Sequence, residues 1–212
     1  VYLASPSVVA ASAIAGYIIQ ADAIPDVPEK RITKESAEEK VPVAKETPAN
    51  DRPFEIEGRV WFIAKDNIDT DMIFHNRHLS ITNIKEMGQY TFGNLEGEED
   101  FATRVKAGDI VVTGKNFGSG SSRQQAVDCF VSLGVQCVVA ESFGAIYERN
   151  AINAAFPIFA SAEISSLKLV NGDVLKLNFE TGMIQNVSKG ITIETTPFSE
   201  VQMEIYQNNG LF

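Results

Sequence analysis

The sequence predicts an α/β domain built on a partly parallel sheet and preceded by a linker. Three observations carry this. Short apolar runs recur a few residues after helix-like segments, the pattern of strand–helix–strand crossovers. The chain has 212 residues, 44% hydrophobic and 22% charged, enough for one domain with a sizeable core and something extra. A proline-rich, Lys/Glu-rich stretch without aromatic residues gives way at Phe54 to a texture of strands and turns.

Residues 1–23 are apolar and rich in Ala and Ser. Three readings compete: a secretory apolar region, a membrane span and a short helix. No basic residues precede the run, and Ser5, Pro6, Ser7, Ser12 and Gly16 interrupt it, which disfavours the first two. Ser5 as N-cap, Pro6 at the first helical position and Gly16 near the end favour the helix, as the tail of a preceding domain. Residues 24–53 hold five of the eight prolines and read as a solvated linker, with a marginal helix near Lys34–Lys40. Such a linker suits a moving domain and a passive tether equally.

Residues 54–212 form the domain proper. Arg59–Ala64, Asp109–Thr113, Gln136–Ala140 and Phe156–Phe159 read as strands, with helices at Ser122–Leu133 and Ala145–Ala155 between them. Asp173–Phe179 and Gly190–Glu194 alternate as half-buried strands do, with a turn at Gly182, and suggest a hairpin-type layer. Pro197–Gln207 closes the chain as a helix.

The net charge of −10 repels phosphate backbones and disfavours nucleic acid as a partner. It also means that an anion site must be built locally, from backbone N–H groups and a few cations. Cys129 and Cys137 lack metal-ligand spacing and read as buried small hydrophobes in a reducing, cytoplasmic setting, with a disulfide as the alternative. With only His75 and His78, an imidazole metal site is disfavoured.

The most informative stretch is Gly114-Lys-Asn-Phe-Gly-Ser-Gly-Ser-Ser-Arg-Gln-Gln-Ala126, which follows a strand and opens a helix. Gly118 and Gly120 allow a sharp bend and close approach to a ligand. Ser121 and Ser122 are candidate caps, and Arg123 in the first turn is a candidate bidentate carboxylate ligand. The pattern is that of an anion-binding strand–loop–helix; on physics alone a Gly-rich turn with a serine cap explains it equally well. The Gly-Lys-Ser/Thr ending of a nucleotide phosphate loop is absent. A second stretch, Asn67-Ile-Asp-Thr-Asp-Met-Ile73, places Asp69 and Asp71 around Thr70; alone it is a turn, and the Gly and final Glu of a calcium loop are missing. Arg77 follows where it can meet a second carboxylate.

In combination, Asn67-Ile-Asp-Thr-Asp71, Asn116-Phe-Gly-Ser-Gly-Ser-Ser-Arg123 and Glu141-Ser-Phe-Gly-Ala-Ile-Tyr-Glu-Arg-Asn150 resemble the C-terminal swivel domain of the aconitase family, over roughly Glu57 to Phe212. That family includes aconitase, homoaconitase and the small subunit of 3-isopropylmalate dehydratase. Val1-Tyr-Leu-Ala-Ser-Pro6 through Gly16 resembles the end of the family's large subunit, which implies a single-chain enzyme with this as its C-terminal piece.

The resemblance implies a swivelling β/β/α three-layer domain with a mostly parallel sheet, and a hydro-lyase of which this chain carries part of the active site. Aconitate hydratase comes first, with 3-isopropylmalate dehydratase or homoaconitase as the alternative and a non-catalytic binding module as the alternative of another class. Ser121 matches the serine that takes a proton from the carbon beside a carboxylate. Gly120 and Ser122 shape the loop, and Arg123 matches a substrate-carboxylate ligand. Thr70 and Asp71 match the pair that orients the acid–base groups, and Arg77 falls in the loop reading the variable end of the substrate. The implied partners are a large domain or subunit carrying a [4Fe-4S] cluster, which this chain does not ligate, and a small di- or tricarboxylate; no membrane is implied. Two departures stand out: Gln124-Gln125 replaces the family's frequent Glu-His, and His78-Leu-Ser-Ile-Thr82 shows neither the Tyr-Leu-Arg nor the Tyr-Leu-Val pattern of the specificity loop.

Overall fold

The computed structural model describes residues 4–23 and 52–211, and the chain divides into two units, residues 1–46 and 47–212. In the first, helix α1 spans Pro6–Ala15. Its signals act as the sequence reading expects. Ser5 caps the N-terminus, accepting the Val8 N–H at 3.4 Å, and Pro6 opens the first turn. Gly16 ends the helix in the left-handed region at φ +80°, its N–H donating to the Ser12 carbonyl. No helix among the described residues is long and apolar enough to cross a membrane. The marginal helix near Lys34–Lys40 lies outside the described residues.

The second unit runs β1 (Glu55–Ile63), α2 (Thr70–Ile73), α3 (Ile84–Met87), α4 (Phe101–Arg104), β2 (Ile110–Thr113), α5 (Gln125–Leu133), β3 (Cys137–Ala140), α6 (Ala145–Asn153), β4 (Ile158–Ala160), β5 (Val174–Asn178), β6 (Met183–Asn186), β7 (Ile191–Glu194) and α7 (Glu200–Gln207). One seven-stranded sheet results, in the order β4-β3-β2-β1-β5-β6-β7. The β1–β4 half is parallel, with Val60 opposite Ile110, Val111 opposite Val138 and Val139 opposite Phe159. The β5–β7 half is antiparallel. β1 belongs to both: residues 60–63 pair with β2, while Glu55–Arg59 pair with β5 in the opposite sense.

Strand alternation sorts the core into two layers. Trp61, Ile63, Val111, Val138 and Ala140 face α5 and α6, packing on Phe130, Tyr147 and Ala151. Val60, Ile110, Val112, Cys137 and Val139 face the other way and pack on Leu175, Leu177, Ile184 and Ile193 of the antiparallel half. The sheet therefore curls over itself, and the layers run helices, parallel strands, antiparallel strands, as the α/β three-layer expectation has it. Each fully buried Val, Leu, Ile or Phe contributes about 1.5–3 kcal/mol of apolar transfer, and two such layers hold the sheet from both sides.

Three details differ from the sequence reading. β1 begins at Glu55 because antiparallel pairing with β5 and a Glu55–Lys176 ion pair at 2.7 Å order a segment whose Glu-Ile-Glu-Gly composition is poor for strands. β6 went unrecognised, so the two strands read as hairpin neighbours each pair with β6 instead of with each other. Helix α5 begins at Gln125, because residues 121–124 are spent returning from the preceding loop.

Arg52 and Pro53, the end of the segment read as linker, are clasped to the domain. The Arg52 N–H donates to Gln207 Oε1 and the Gln207 amide donates to the Arg52 carbonyl. Arg52 Nη1 reaches the carbonyls of Ala155 and Tyr206 at 2.9 and 3.1 Å, beyond α6 and in the last turn of α7. Its guanidinium lies 3.8 Å from the centre of the Tyr206 ring, and the Tyr206 hydroxyl donates to the Pro53 carbonyl. The negative ends of two helix dipoles and a ring face thus converge on one cation. Arg52→Ala is expected to destabilise the domain by about 2 kcal/mol, measured by urea unfolding of the full chain.

Candidate functional site

Three loops leave the C-terminal ends of parallel strands β1, β2 and β3 and meet there, where open α/β sheets commonly bind ligands. The first carries Asn67 to Asp71, the second Gly114 to Gln124 and the third Glu141 to Gly144. Main chain lashes them together. The Gly118 N–H donates to the Ile68 carbonyl at 2.7 Å and the Thr70 N–H to the Ser119 carbonyl at 2.9 Å. The Phe117 N–H donates to the Ser142 carbonyl, and the Gly144 N–H to the Phe117 carbonyl. Asn67 and Asn116 both sit in the left-handed region at φ 56°, where short polar side chains are tolerated, and the Asn116 amide donates to Asn67 Oδ1 at 2.9 Å.

Gly118, at φ 74°, lies on the Tyr147 ring: a Cβ there would stand 2.2 Å from Tyr147 Cγ. Tyr147 is in turn wedged between Phe143, which it stacks on, and Phe117, which it meets edge-on at 5.2 Å between centroids. Gly120, at φ 101°, turns the chain over Thr70.

The bend brings six of the expected residues together. Buried Thr70 accepts the Ser121 N–H on its hydroxyl at 3.1 Å, which fixes the backbone of Ser121 and leaves its side chain exposed. The Ser121 hydroxyl has no hydrogen-bond partner among the described residues. Asp69 caps α2, accepting the N–H groups of Asp71 and Met72 at 2.8 Å each. Asp71 then takes Arg123 Nη1 on Oδ1 at 2.7 Å, while the same Nη1 donates to the Phe74 carbonyl at 3.1 Å. Asp71 Oδ1 also accepts the Asn76 N–H at 3.0 Å. Partial burial would push the Asp71 carboxyl up, but Arg123, the Asn76 N–H and His75 hold it below the usual carboxylate range. Ser122 is exposed, its carbonyl accepting the Asn150 amide at 3.2 Å. The seventh residue, Arg77, is exposed on the turn after α2, and its guanidinium has no polar partner among the described residues.

Two expectations need correction. Ser121 and Ser122 do not cap α5, whose N-cap is Gln124 without a side-chain bond; the Ser121 N–H is turned to Thr70 instead. Arg123 is not in the first turn of the helix but in the loop before it, with 15% of its side chain exposed and Nη1 committed to Asp71. The residue that sequence reasoning missed is His75. Its Nε2 lies 3.9 Å from Asp71 Oδ2, and its Nδ1 accepts the Arg77 N–H at 3.1 Å. The signal was its spacing of four from Asp71.

Residues 54–163 match the family described as Aconitase C-terminal domain. The chain belongs to the aconitase family. Among its relatives is the 3-isopropylmalate dehydratase small subunit of Halothermothrix orenii, 42% identical over 69% of this chain and 87% of that one. The isopropylmalate/citramalate isomerase small subunit of Methanocaldococcus jannaschii is 42% identical over 74% of this chain and 90% of its own. A crystal structure of 3-isopropylmalate dehydratase from the same organism superimposes with a TM-score of 0.67 at 34% identity, over 74% of this chain and 90% of that chain.

The resemblance to this family brought with it a [4Fe-4S] cluster, and the residues of this chain do not fit one. Cys129 lies on α5 in the helix-side core and Cys137 on β3 in the core on the opposite face of the sheet, both fully buried. Burial pushes the Cys129 thiol up to about 12 and the Cys137 thiol up as well, so neither supplies the thiolate a cluster requires. No group of three or more His, Cys, Asp or Glu side chains suited to a metal occurs among the described residues.

Three outcomes are expected. Gly118→Ala destabilises by roughly 3 kcal/mol in urea unfolding, because Tyr147 has nowhere to move. Gly97→Ala, at φ 88° with open space around it, costs only about 1 kcal/mol and isolates the backbone part. In the native chain at pH 8 neither cysteine reacts with an aromatic disulfide reagent, and both react once urea unfolds it.

Proposed function

We propose that this chain supplies the substrate-holding, proton-abstracting part of an aconitase-family hydro-lyase, and that the reaction is that of a 3-isopropylmalate dehydratase. This reverses the order drawn from the sequence, where aconitate hydratase stood first. The reversal is supported by the relatives, which carry the dehydratase or isopropylmalate isomerase small-subunit names at about 40% identity over most of their length. The observation that carries the site reading is the exposed Ser121 hydroxyl, without a partner among the described residues, on a backbone held by Thr70 beside the Asp71–Arg123 pair.

In this reading Ser121 takes the proton from the carbon beside a substrate carboxylate. A serine hydroxyl is a poor base and needs local positive potential, to which Arg123 contributes. Arg123 offers Nη2 and Nε, which no described residue occupies, as a fork for that carboxylate. Thr70 holds the backbone of Ser121, and Asp71 holds Arg123 against the loop. Gly120 and Ser122 shape the bend, and Arg77 stands free to meet a second carboxylate. The cluster belongs to a large subunit or domain outside this chain; residues 1–23 are assigned to the tail of such a domain and 24–53 to the connection. A reducing compartment such as the cytoplasm accords with two free buried thiols set on opposite faces of one sheet.

The test is steady-state kinetics of the chain assembled with its cluster-bearing part, on 3-isopropylmalate and on citrate. Turnover is expected on the former; turnover on citrate alone restores the aconitate reading. Ser121→Ala should lower kcat by roughly 10²–10⁴-fold with substrate binding retained. Arg123→Lys should raise KM by roughly 10–100-fold, because a point charge does not copy the fork. Unchanged turnover in Ser121→Ala discards the proton-abstracting role.

A further inference from the structure

Asp71 and Arg123 form an unusual pair. An arginine and a carboxylate this close commonly bind through two parallel hydrogen bonds, the stronger arrangement. Here only Oδ1 of Asp71 touches the guanidinium, through Nη1 at 2.7 Å. The other oxygen, Oδ2, faces away toward His75 Nε2 at 3.9 Å. Something keeps the carboxylate from rotating to close the second bond, and three neighbours supply the restraint. The Asn76 N–H holds Oδ1 at 3.0 Å. The Phe74 carbonyl shares Nη1 and holds the guanidinium from its far side.

The third neighbour is His75, whose ring is fixed on its own account. Its Nδ1 accepts the Arg77 N–H at 3.1 Å, capping the turn Asn76–His78. An acceptor at Nδ1 carries no proton, so the proton of the neutral ring sits on Nε2, the atom directed at Asp71 Oδ2. The ring is also packed edge-on near His78, which stacks on Tyr90 with centroids 4.0 Å apart. His75 therefore presents a partial positive charge to Oδ2 from a position set by the turn and not by Asp71.

We propose that His75 is a positioning residue that draws the second oxygen of Asp71 away from Arg123, keeps that pair single-pointed, and leaves Nη2 and Nε of Arg123 to fork a substrate carboxylate. Without His75 no described residue draws Oδ2 away, and the carboxylate, held only at Oδ1 by the Asn76 N–H, turns Oδ2 toward Arg123 and closes the fork as an internal salt bridge. His75 touches neither substrate nor reacting atoms; it acts through Asp71. The proposal rests on the functional reading for the identity of the ligand, but the geometry that motivates it does not.

The experiment has two arms. In the first, His75→Ala, Asp71→Asn and the double variant of the full chain are unfolded in urea. A non-zero coupling between the two positions is expected, and strict additivity overturns the proposal. In the second, binding of 3-isopropylmalate to the assembled enzyme is measured calorimetrically in a Ser121→Ala background, where turnover of bound substrate is slow. His75→Ala is expected to weaken binding about tenfold. His75→Gln, whose side-chain amide places an N–H near the position of Nε2, recovers most of the loss. In the Asp71→Asn background His75→Ala has no further effect. Unchanged affinity in His75→Ala, no recovery with Gln, or the same loss in the Asp71→Asn background each overturns the proposal. If the parent assembly binds neither 3-isopropylmalate nor citrate, the functional reading fails, and the first arm still decides whether His75 acts on Asp71.

Discussion

The candidate site depends on a strip of main chain where two loops run side by side for a single residue pair, Asp69 beside Ser119. The N–H groups of Gly118 and Thr70 cross that strip in opposite senses to the carbonyls of Ile68 and Ser119. These bonds extend the β1–β2 pairing past the end of the sheet, and they decide where Ser121 and Asp71 stand. The strip closes only because Gly118 has no side chain: the loop lies on the Tyr147 ring, and Tyr147 is held by Phe117 and Phe143. Position at the site is thus inherited from aromatic packing beneath it, which tolerates little change in volume.

Electrostatics adds a second constraint. The chain carries a net charge of −10, so an anionic ligand finds attraction only where cations are gathered locally. Arg123, a cation of this loop, stands beside an acid, Asp71. A free arginine in this loop would sweep a wide volume. One hydrogen bond to Asp71 and one to the Phe74 carbonyl reduce it to a single orientation without consuming all of its donors. The entropy of ordering this side chain is therefore lost on folding.

The site is open to solvent, and its serine faces outward. Among the described residues none hydrogen-bonds that hydroxyl. The exposed face accords with the proposed role, in which a cluster-bearing part completes the site. The clasp at Arg52 ties the first described residues of this unit to α7.

Much of this was legible in the residues. Local rules with short range wrote it: the apolar run of Asp109–Thr113, the alternation of Asp173–Phe179, the cap of Ser5 and Pro6, and the glycines of the bend with Ser121 and Arg123 just beyond. What stayed hidden depends on partners far along the chain. Glu55–Gly58 is a strand only because β5 pairs with it, and β6 is a strand because it lies between β5 and β7. Ser121 does not cap its helix because Thr70, some fifty positions earlier, takes its N–H. Arg123 left the helix for the same kind of reason, and His75 gained its role from an oxygen that only the folded loop turns toward it. Sequence periodicity reports which face of an element is apolar; which donor meets which acceptor across loops is decided when the layers pack, because those bonds form only between groups that the core has already brought together.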